Sequence, residues 1–315
     1  MKTIKSLKNG YCDVVYSALG AFVNIDKENE QEIIKKMSRE DVQLLCEYAV
    51  VKNKMAGVGE VNLKVPYIKT GIMALDKYGM RGNEVLSADY VNGLAAKDIV
   101  GGRFMLEVED LNAYNPASLT DVCDFCATTD TPIVVHFGRT LESVGGSVNK
   151  FGVSPATLLE EYGFLDRECY LYGMNYIDKD DQILLANYNP TLILSPKSDA
   201  EEGKGEINVY NLLYNRLKFC FSSGKCYNID MLGEAKFAKL STNNLMKKAG
   251  LLEDATLLEV LSSNQGDLIV EFDENFKETA FLDMVKIRVD DSLLQQKRML
   301  EEKIIKLLQK LKGEN

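Results

Sequence analysis

The segment NGYCDVVYS, from Asn9 to Ser17, decides the fold of this chain. A small turn leads into an aromatic residue, an aspartate and an alternating apolar run, and such alternation is typical of a β-strand. We therefore predict a first strand over residues 11–17. Seven further short runs rich in Val, Ile, Leu and Tyr follow it, at residues 57–65, 83–91, 103–108, 132–138, 169–175, 191–196 and 218–223.

The segments between these runs carry apolar residues at spacings of three and four, which is the helical period. Strands that alternate with helices in this way predict a parallel sheet. Eight is the number of strands that closes as a (β/α)₈ barrel, so an α/β barrel is the predicted fold class. A doubly wound open sheet is the second candidate, although no Gly-x-Gly-x-x-Gly follows a predicted strand and the chain has no phosphate-loop motif.

The composition restricts the partners of the chain. Its 315 residues are 46% hydrophobic and carry a formal net charge of −10. Because phosphate-backbone binding needs clustered Lys and Arg, we expect no nucleic-acid partner. No apolar stretch approaches the ~20 residues that span a bilayer, and no apolar segment typical of a signal peptide follows the basic N-terminus. We therefore expect a cytoplasmic protein with no membrane partner and reduced cysteines; the single CxxC, Cys123 to Cys126, is expected to be structural.

We predict three parts along the chain. The barrel is expected over residues 11–250, and residues 1–10 and 251–285 are expected to be the remnant of a small β domain, with a lone strand at 266–276. Residues 286–315 are predicted to form an amphipathic helix, whose packing on its own domain is favoured over a dimer seam. The apolar stripe of this helix consists of Leu300, Ile304, Leu307, Leu308 and Leu311.

Six segments, in order along the chain, resemble the amidohydrolase superfamily in its cytosine deaminase and triazine hydrolase branch. They are NGYCDVVYS (9–17), KMSREDVQLLCEYAVVKNKMAGVGEV (36–61), TPIVVHFGRTLES (131–143), FLDRECYLYGMNYIDKDDQILL (164–185), LILSPKSDAEEGKG (192–205), and STNNLMKKAGL with GDLIVEFDEN (241–275). The resemblance implies an amidohydrolase-type barrel that is trimmed at its N-terminus and carries a reduced β appendage. Members of the family hold one divalent metal, whose bound water attacks an amidine, amide or aminopurine-like carbon.

Carried over position by position, the resemblance places few of the family's working residues on this chain. The histidine pair of the first strand falls on Val15 and Ser17. The fifth-strand histidine is present as His136, but the proton-shuttling glutamate three residues later is Arg139, which stays protonated. The asparagine of the family's Pro-x-Ser-Asn loop falls on Asp199.

Two further family positions hold glycine: the sixth-strand histidine falls on Gly173, and the terminal metal-bridging aspartate falls on Gly224. His136 is the only histidine of the chain, whereas a catalytic zinc usually has three protein ligands drawn mostly from histidine. We therefore predict no metal and no cofactor. A magnesium or manganese site built from Asp13, Glu60 or Asp199 is the alternative.

Arg139, Lys197 and Lys225 are expected at the C-terminal ends of strands, where barrel sites form. Three fixed cations around one histidine suggest a pocket for a small anion, such as a carboxylate or a phosphate ester. Ordinary surface cations that pair with the abundant acidic residues are the competing interpretation.

The favoured functional hypothesis is a non-catalytic amidohydrolase-like protein. It would bind a small molecule, or would partner a second copy of itself or a paralogous amidohydrolase subunit. The alternative is an active hydrolase on C–N bonds, or a lyase, that uses a metal-free or carboxylate site around His136. In the metal-free version His136 is the general base, and Ser17, Ser222 and Cys220 are the candidate nucleophiles.

Overall fold

The structure is a computed structural model that describes residues 2–20, 22, 27–89, 96–225, 227–263, 270–272, 286–287 and 289–312. The strands are β1 (Lys2–Ile4), β2 (Ser6–Asp13), β3 (Val58–Lys64), β4 (Glu84–Ser87), β5 (Phe104–Val108), β6 (Ile133–Phe137), β7 (Cys169–Gly173), β8 (Thr191–Leu194), β9 (Lys218–Phe221), β10 (Ser262–Ser263), β11 (Val270–Phe272) and β12 (Lys286–Ile287). The helices are α1 (Val14–Leu19), α2 (Lys27–Lys36), α3 (Arg39–Met55), α4 (Thr70–Lys77), α5 (Ala96–Ile99), α6 (Pro116–Thr129), α7 (Leu141–Phe151), α8 (Pro155–Glu161), α9 (Lys179–Tyr188), α10 (Pro196–Glu201), α11 (Val209–Tyr214), α12 (Met231–Met246), α13 (Asp254–Leu261) and α14 (Asp291–Lys312).

The chain divides into two compact units. The first unit consists of Met1–Glu84, Ser222–Leu232 and Asp254–Asn315, and the second consists of Val85–Phe221 and Gly233–Glu253. Both units contain parts of the segment 11–250 that the sequence predicted as one barrel. The predicted domain boundaries stay a prediction.

In the first unit, β2 pairs in parallel with β3, from Leu7 opposite Val58 to Asp13 opposite Lys64. Strand β10 adds to β2 in the antiparallel direction. A separate antiparallel sheet has the order β1-β11-β12. The predicted strand at 266–276 is therefore not a lone strand, because its described part, β11, pairs with strands on both sides.

The first predicted strand is wrong in its second half, since β2 ends at Asp13 and helix α1 follows at once. Asp13 has extended backbone angles, and its carboxylate accepts hydrogen bonds from the backbone N–H groups of Val15 (3.1 Å) and Tyr16 (3.3 Å). Those N–H groups would otherwise lack a partner at the helix N-terminus. The apolar run continues beyond Asp13 because α1 is buried, and this is why it resembles the end of a strand.

Helix α3 is the central packing element of the first unit. It begins with a capping box in which Ser38 and Asp41 exchange hydrogen bonds. Helix α14 packs against it and buries Leu300, Ile304 and Leu307, which belong to the predicted apolar stripe. Helix α14 has 22 residues, but no helix among the described residues is both long and apolar enough to cross a membrane.

In the second unit, strands β5 to β9 are parallel and pair in sequence order. Helices α6 to α11 connect them. Each of these strands, like β3 and β4, lies inside a run that the sequence predicted as a strand. Since the strands are parallel, their C-terminal ends lie at one edge of the sheet, where the residues of the candidate site are found.

We expect the substitution Asp13→Ala to lower the free energy of unfolding by about 1–2 kcal/mol, because it removes the N-cap of α1. Asp13→Asn should lower it less, since asparagine caps helices about as well as aspartate. Urea unfolding followed by circular dichroism measures both values. Equal losses in the two variants would show that the cap is not the stabilising contact and would point instead to the ion pair between Asp13 and Lys64.

Candidate functional site

Three neighbouring strands of the second unit each carry a polar side chain one residue before the strand ends. Glu107, His136 and Tyr172 are the last but one residues of β5, β6 and β7. His136 lies directly opposite Tyr172 in the parallel register. In the register of β5 with β6, Glu107 lies opposite Val134, two residues before His136. The carboxylate, the imidazole and the phenol therefore lie near the C-terminal ends of three adjacent strands, with His136 and Tyr172 as direct partners in the ladder.

Glu107 and His136 form a buried hydrogen-bonded pair. The distance from His136 Nε2 to Glu107 Oε1 is 2.8 Å, and the exposed fractions of the two side chains are 10% and 0%. Burial lowers the pKa of His136 below its usual value, and the hydrogen bond to Glu107 and its charge oppose this effect only in part. His136 is thus neutral at neutral pH. A neutral imidazole that donates from Nε2 to a carboxylate has Nδ1 as its basic nitrogen.

The ring of Tyr172 contacts both His136 of this pair and the guanidinium of Arg139. Its ring centroid lies 4.7 Å from that of His136 and 4.8 Å from Cζ of Arg139. The hydroxyl of Ser195 donates to the phenolic oxygen at 2.9 Å. Because burial raises the pKa of Tyr172, the phenol stays protonated.

Arg139 is buried, and carboxylates surround its guanidinium. Its Nε donates to Asp199 Oδ1 at 2.7 Å, its Nη2 lies 2.6 Å from the same oxygen, and its Nη2 also lies 3.1 Å from Glu202 Oε1. Asn175 donates to the second oxygen of Asp199 at 3.1 Å. Asp199 lies on α10, so this cluster ties α10 to the end of β6.

Gly173 leaves the space that Arg139 occupies. Its φ of +115° is in the region that favours glycine, and a Cβ atom there would lie 2.9 Å from both Cβ and Cγ of Arg139. A histidine at this position, as the family resemblance would require, is incompatible with Arg139 where it stands.

The remaining predicted positions belong to the first unit. Val15 and Ser17 lie buried on α1 rather than on a strand end. Gly224 forms an isolated parallel bridge with Cys12, and its carbonyl accepts from the backbone N–H of Asp13. Lys225 Nζ lies 4.6 Å above the ring of Tyr16.

The carboxylates considered for a metal each lie beside a cation. Asp13 has Lys64 at 3.8 Å, Glu60 has Lys8 at 3.3 Å, and Asp199 has Arg139. Over the described ranges, no group of three or more His, Cys, Asp or Glu side chains is arranged to hold a metal ion. These donors do not fit the three-ligand zinc site that the resemblance implies.

The anion pocket predicted from Arg139, Lys197 and Lys225 stays a prediction. Arg139 and Lys197 belong to the second unit, and Lys225 belongs to the first. Any anion at Arg139 would have to compete with Asp199 and Glu202 for the guanidinium.

Sequence reasoning missed Glu107 and Tyr172. Glu107 lies in the run RFMLEV, which we interpreted only as a core strand. A single acidic residue inside an otherwise apolar strand was the available signal, because a buried carboxylate needs a partner. Tyr172 gave no comparable signal, since tyrosine is common in ordinary strands.

A cavity of about 230 Å³ lies in the same unit, beside the ends of β4 and β5. The phenol of Tyr114 donates to Asp89 at 2.5 Å within it. Burial and Asp89 raise the pKa of Tyr114, and Glu107 is close enough to contribute to this shift. The lining residues are Ala88, Asp89, Ala113, Tyr114, Ser118, Asp121 and Val122.

Comparison with known proteins gives this site a context. No protein-family model matches the chain. Over 173 residues it is 28% identical to the 5-methylthioadenosine/S-adenosylhomocysteine deaminase of Saccharophagus degradans, and the match covers 52% of this chain and 38% of that protein. The chain thus matches well under half the length of this relative.

Solved structures show the fold. An adenosine deaminase from Xanthomonas campestris with bound zinc superposes with a TM-score of 0.77 at 15% identity, over 96% of this chain and 86% of that one. The atrazine chlorohydrolase of Arthrobacter aurescens TC1, complexed with zinc, gives a TM-score of 0.72 at 14% identity, over 95% and 88%. The chain therefore has the α/β fold of these hydrolases, and a doubly wound sheet is ruled out. The deaminase relative, together with these structures, supports the resemblance to the amidohydrolase superfamily.

These relatives overturn one expectation. We expected a non-catalytic protein, but curated proteins that resemble this chain are named as deaminases, which are hydrolytic enzymes. The favoured functional hypothesis is therefore wrong, and the comparisons support its alternative, an active hydrolase.

We expect Gly173→Ala to lower the free energy of unfolding by about 2–4 kcal/mol, because the backbone strain adds to the contact with Arg139. Gly152→Ala is the matched control in the same unit: its φ is +77°, but a Cβ there would meet no atom within 4 Å. The control should lose only about 1 kcal/mol. Urea unfolding measures the free energy of unfolding of both variants. Similar losses in the two would mean that crowding against Arg139 contributes nothing.

Proposed function

We propose that this protein is a hydrolase of non-peptide C–N bonds, of the deaminase type, with aminopurine nucleosides as its first candidate substrates. The observation that carries the proposal is the buried Glu107–His136 pair at the C-terminal edge of parallel strands. Active sites of such barrels form at this edge. The similarity to deaminases supports the reaction class and the kind of substrate.

In the proposed mechanism the oxygen of a water molecule attacks the carbon that bears the amino group, while Nδ1 of His136 takes a proton from that water. The tetrahedral adduct collapses as His136 returns that proton to the nitrogen, the C–N bond breaks, and ammonia leaves. Glu107 holds the imidazole at Nε2 and stabilises the imidazolium that forms between the two steps. His136 is suited to this role because burial keeps it neutral before the reaction.

The cavity lined by Tyr114 and Asp89 is the proposed substrate pocket. Its two carboxylates, Asp89 and Asp121, would accept hydrogen bonds from the amino and hydroxyl groups of a nucleoside. Its volume of about 230 Å³ suits a small ligand or one part of a nucleoside.

The zinc of the related structures supplies an activated hydroxide when it is bound. The described residues of this chain do not fit that ion, so the proposed mechanism uses none. The finer features of the fold, a closed (β/α)₈ barrel with a reduced β appendage, are part of the same proposal. A homodimer or a paralogous amidohydrolase subunit also stays a prediction.

We expect the protein to release ammonia from adenosine or 5′-methylthioadenosine, and His136→Ala to lower kcat/KM by about 10²–10⁴-fold, which is the usual contribution of a general base. Glu107→Gln should lower it by at least about tenfold, because glutamine cannot stabilise the imidazolium. An ammonia-coupled assay measures these rates. Glu160→Gln is the control, since Glu160 accepts a phenol hydrogen bond from Tyr188 on an exposed part of the same unit.

The pH profile gives a second readout. Because the active form of His136 is neutral and its pKa is lowered, kcat/KM should fall only below the usual histidine pKa of about 6.5. Glu107 raises the pKa of His136, so Glu107→Gln should shift the acid limb to lower pH. Full activity in folded His136→Ala would refute the proposed function.

Treatment with a chelator, followed by desalting, should change kcat/KM less than about twofold, because the described residues offer no three-donor site. Plasma mass spectrometry on tag-free protein checks that metals were removed. A tenfold loss that zinc restores would contradict the metal-independent mechanism.

A further inference from the structure

Exposed cations cluster at the second edge of the sheet in the second unit, where its parallel strands begin. They follow the ends of α11 and α12 and are Arg216, Lys218, Lys247 and Lys248. Helix α11 has only 6 residues, which is about 9 Å. Asn208 at its N-cap donates to the sulfur of Met246, the last residue of α12. The four cations therefore belong to one surface, which we call the basic cluster.

Two features set the basic cluster apart in this acidic chain. Over the described residues none of its four cations takes part in an ion pair, whereas Lys77 and Arg139, for example, lie against carboxylates. Large apolar side chains are exposed among the cations: the exposed fractions of Tyr214, Leu245 and Met246 are 76%, 44% and 40%. Since tyrosine, methionine and arginine are enriched at protein–protein interfaces, the composition of this surface is that of an interface.

An acidic cluster lies at the same edge, on the other side of β8. It consists of three exposed residues that come just before β6 and β7, namely Asp130, Asp166 and Glu168. Within the described part of the chain none of the three is in an ion pair, and Arg167, which lies between two of them, donates to the carbonyl of Gly163. In the parallel register Tyr170 of β7 lies opposite Thr191 of β8, which lies opposite Lys218 of β9. Both clusters therefore lie where the strands begin.

We propose that this edge is the interface of a homodimer, in which the basic cluster of each copy faces the acidic cluster of the other. Strand β8 lies between β7 and β9 in the sheet. A two-fold axis near the start of β8 therefore places the cations before and on β9, Arg216 and Lys218, against the second copy's carboxylates before β7, and the same contacts form twice. The proposal does not rest on the proposed function, because His136 lies at the opposite edge of the sheet.

A second copy suits this face better than other acidic partners do. An anionic membrane or an acidic protein would attract the basic cluster, but the acidic cluster beside it would repel both. Head-to-tail stacking of copies would pair the clusters only in open filaments, whereas the two-fold arrangement closes. Four strands and the helix layer beside them span roughly 25 Å. Such a face buries about 500 Å² per copy, which is the size of a weak, reversible dimer.

Sedimentation velocity of the full chain, from about 1 µM to about 200 µM, tests the proposal. At about 50 mM salt we expect an equilibrium of monomer and dimer in the micromolar range, with no larger species. At about 500 mM salt the Kd of the dimer should rise at least about tenfold, because screening weakens exposed ion pairs.

Charge reversals test which residues face each other. Arg216→Glu with Lys218→Glu should raise the Kd at least about tenfold, because like charges then meet across the axis. Asp166→Lys with Glu168→Lys should do the same. The variant that combines all four reversals has opposite charges at each contact again, so its Kd should return to within about threefold of the wild type.

Lys35→Glu with Lys36→Glu is the matched control. These two exposed lysines lie at the end of α2 in the first unit, and their reversal changes the net charge by the same amount. The Kd of the control should change less than about threefold. Circular dichroism checks that every variant is folded, which we expect because all the substituted side chains are exposed.

A chain that stays monomeric at about 200 µM in low salt would overturn the proposal. A dimer that neither reversal weakens would do so too, because its interface would lie elsewhere. Growth into ever larger species would show head-to-tail stacking and would refute the closed pair. If monomeric wild type co-sediments with phosphatidylserine vesicles and the variant reversed at Arg216 and Lys218 does not, the basic cluster binds membranes and the homodimer is refuted. Loss of the dimer in both double variants, with recovery in the combined one, would support the proposal.

Discussion

A carboxylate and an imidazole lie 2.8 Å apart near the buried ends of two neighbouring parallel strands, and the proposed chemistry of the second unit depends on this contact. A carboxylate as deeply buried as that of Glu107 is destabilising by several kcal/mol unless a hydrogen-bonding partner offsets the loss of water. His136 is such a partner, and the parallel ladder brings it there because β5 and β6 end at the same edge. In return Glu107 selects one tautomer of the imidazole and keeps its basic nitrogen on the opposite edge of the ring.

The three residues that depart from the family pattern at positions 139, 173 and 199 depend on one another, because Arg139 lies against both Gly173 and Asp199. Arg139 stands where the resemblance places a glutamate, Asp199 where it places an asparagine, and Gly173 where it places a histidine. A buried guanidinium needs a carboxylate, which Asp199 supplies at 2.7 Å, and it needs space, which Gly173 supplies. Without Asp199 the guanidinium would lose a buried carboxylate partner, and with any side chain at position 173 Arg139 would collide with it. Together the three residues place a buried, carboxylate-bonded guanidinium 4.8 Å from the centroid of the Tyr172 ring.

The pattern of apolar runs was sufficient to locate the parallel strands, because a buried strand has to be apolar along its length. It failed at the end of the first strand, where Val14 and Val15 have the propensity of a strand but Asp13 caps a helix. Local propensity cannot reveal which backbone N–H groups a carboxylate will satisfy. The site was likewise predictable only in part. His136 was recognisable as the only histidine of the chain. Its contact with Glu107 depends on how two strands pair, which the sequence of one strand does not contain. The pairing of Arg139 with Asp199 joins residues 60 positions apart and needs the folded chain.

A hydrolase that relies on one histidine depends on geometry more than a metal enzyme does. A metal lowers the pKa of its water and also orients it, whereas a general base contributes about 10²–10⁴-fold and only when its lone pair faces the water. Misplacement of a reacting group by about 1 Å can forfeit a further 10²-fold. In this chain the ring of Tyr172 lies against both His136 and Arg139, and Arg139 is bonded to Asp199 on α10. Under the proposed mechanism, the residues that contact the imidazole therefore matter to the rate as well as the imidazole itself.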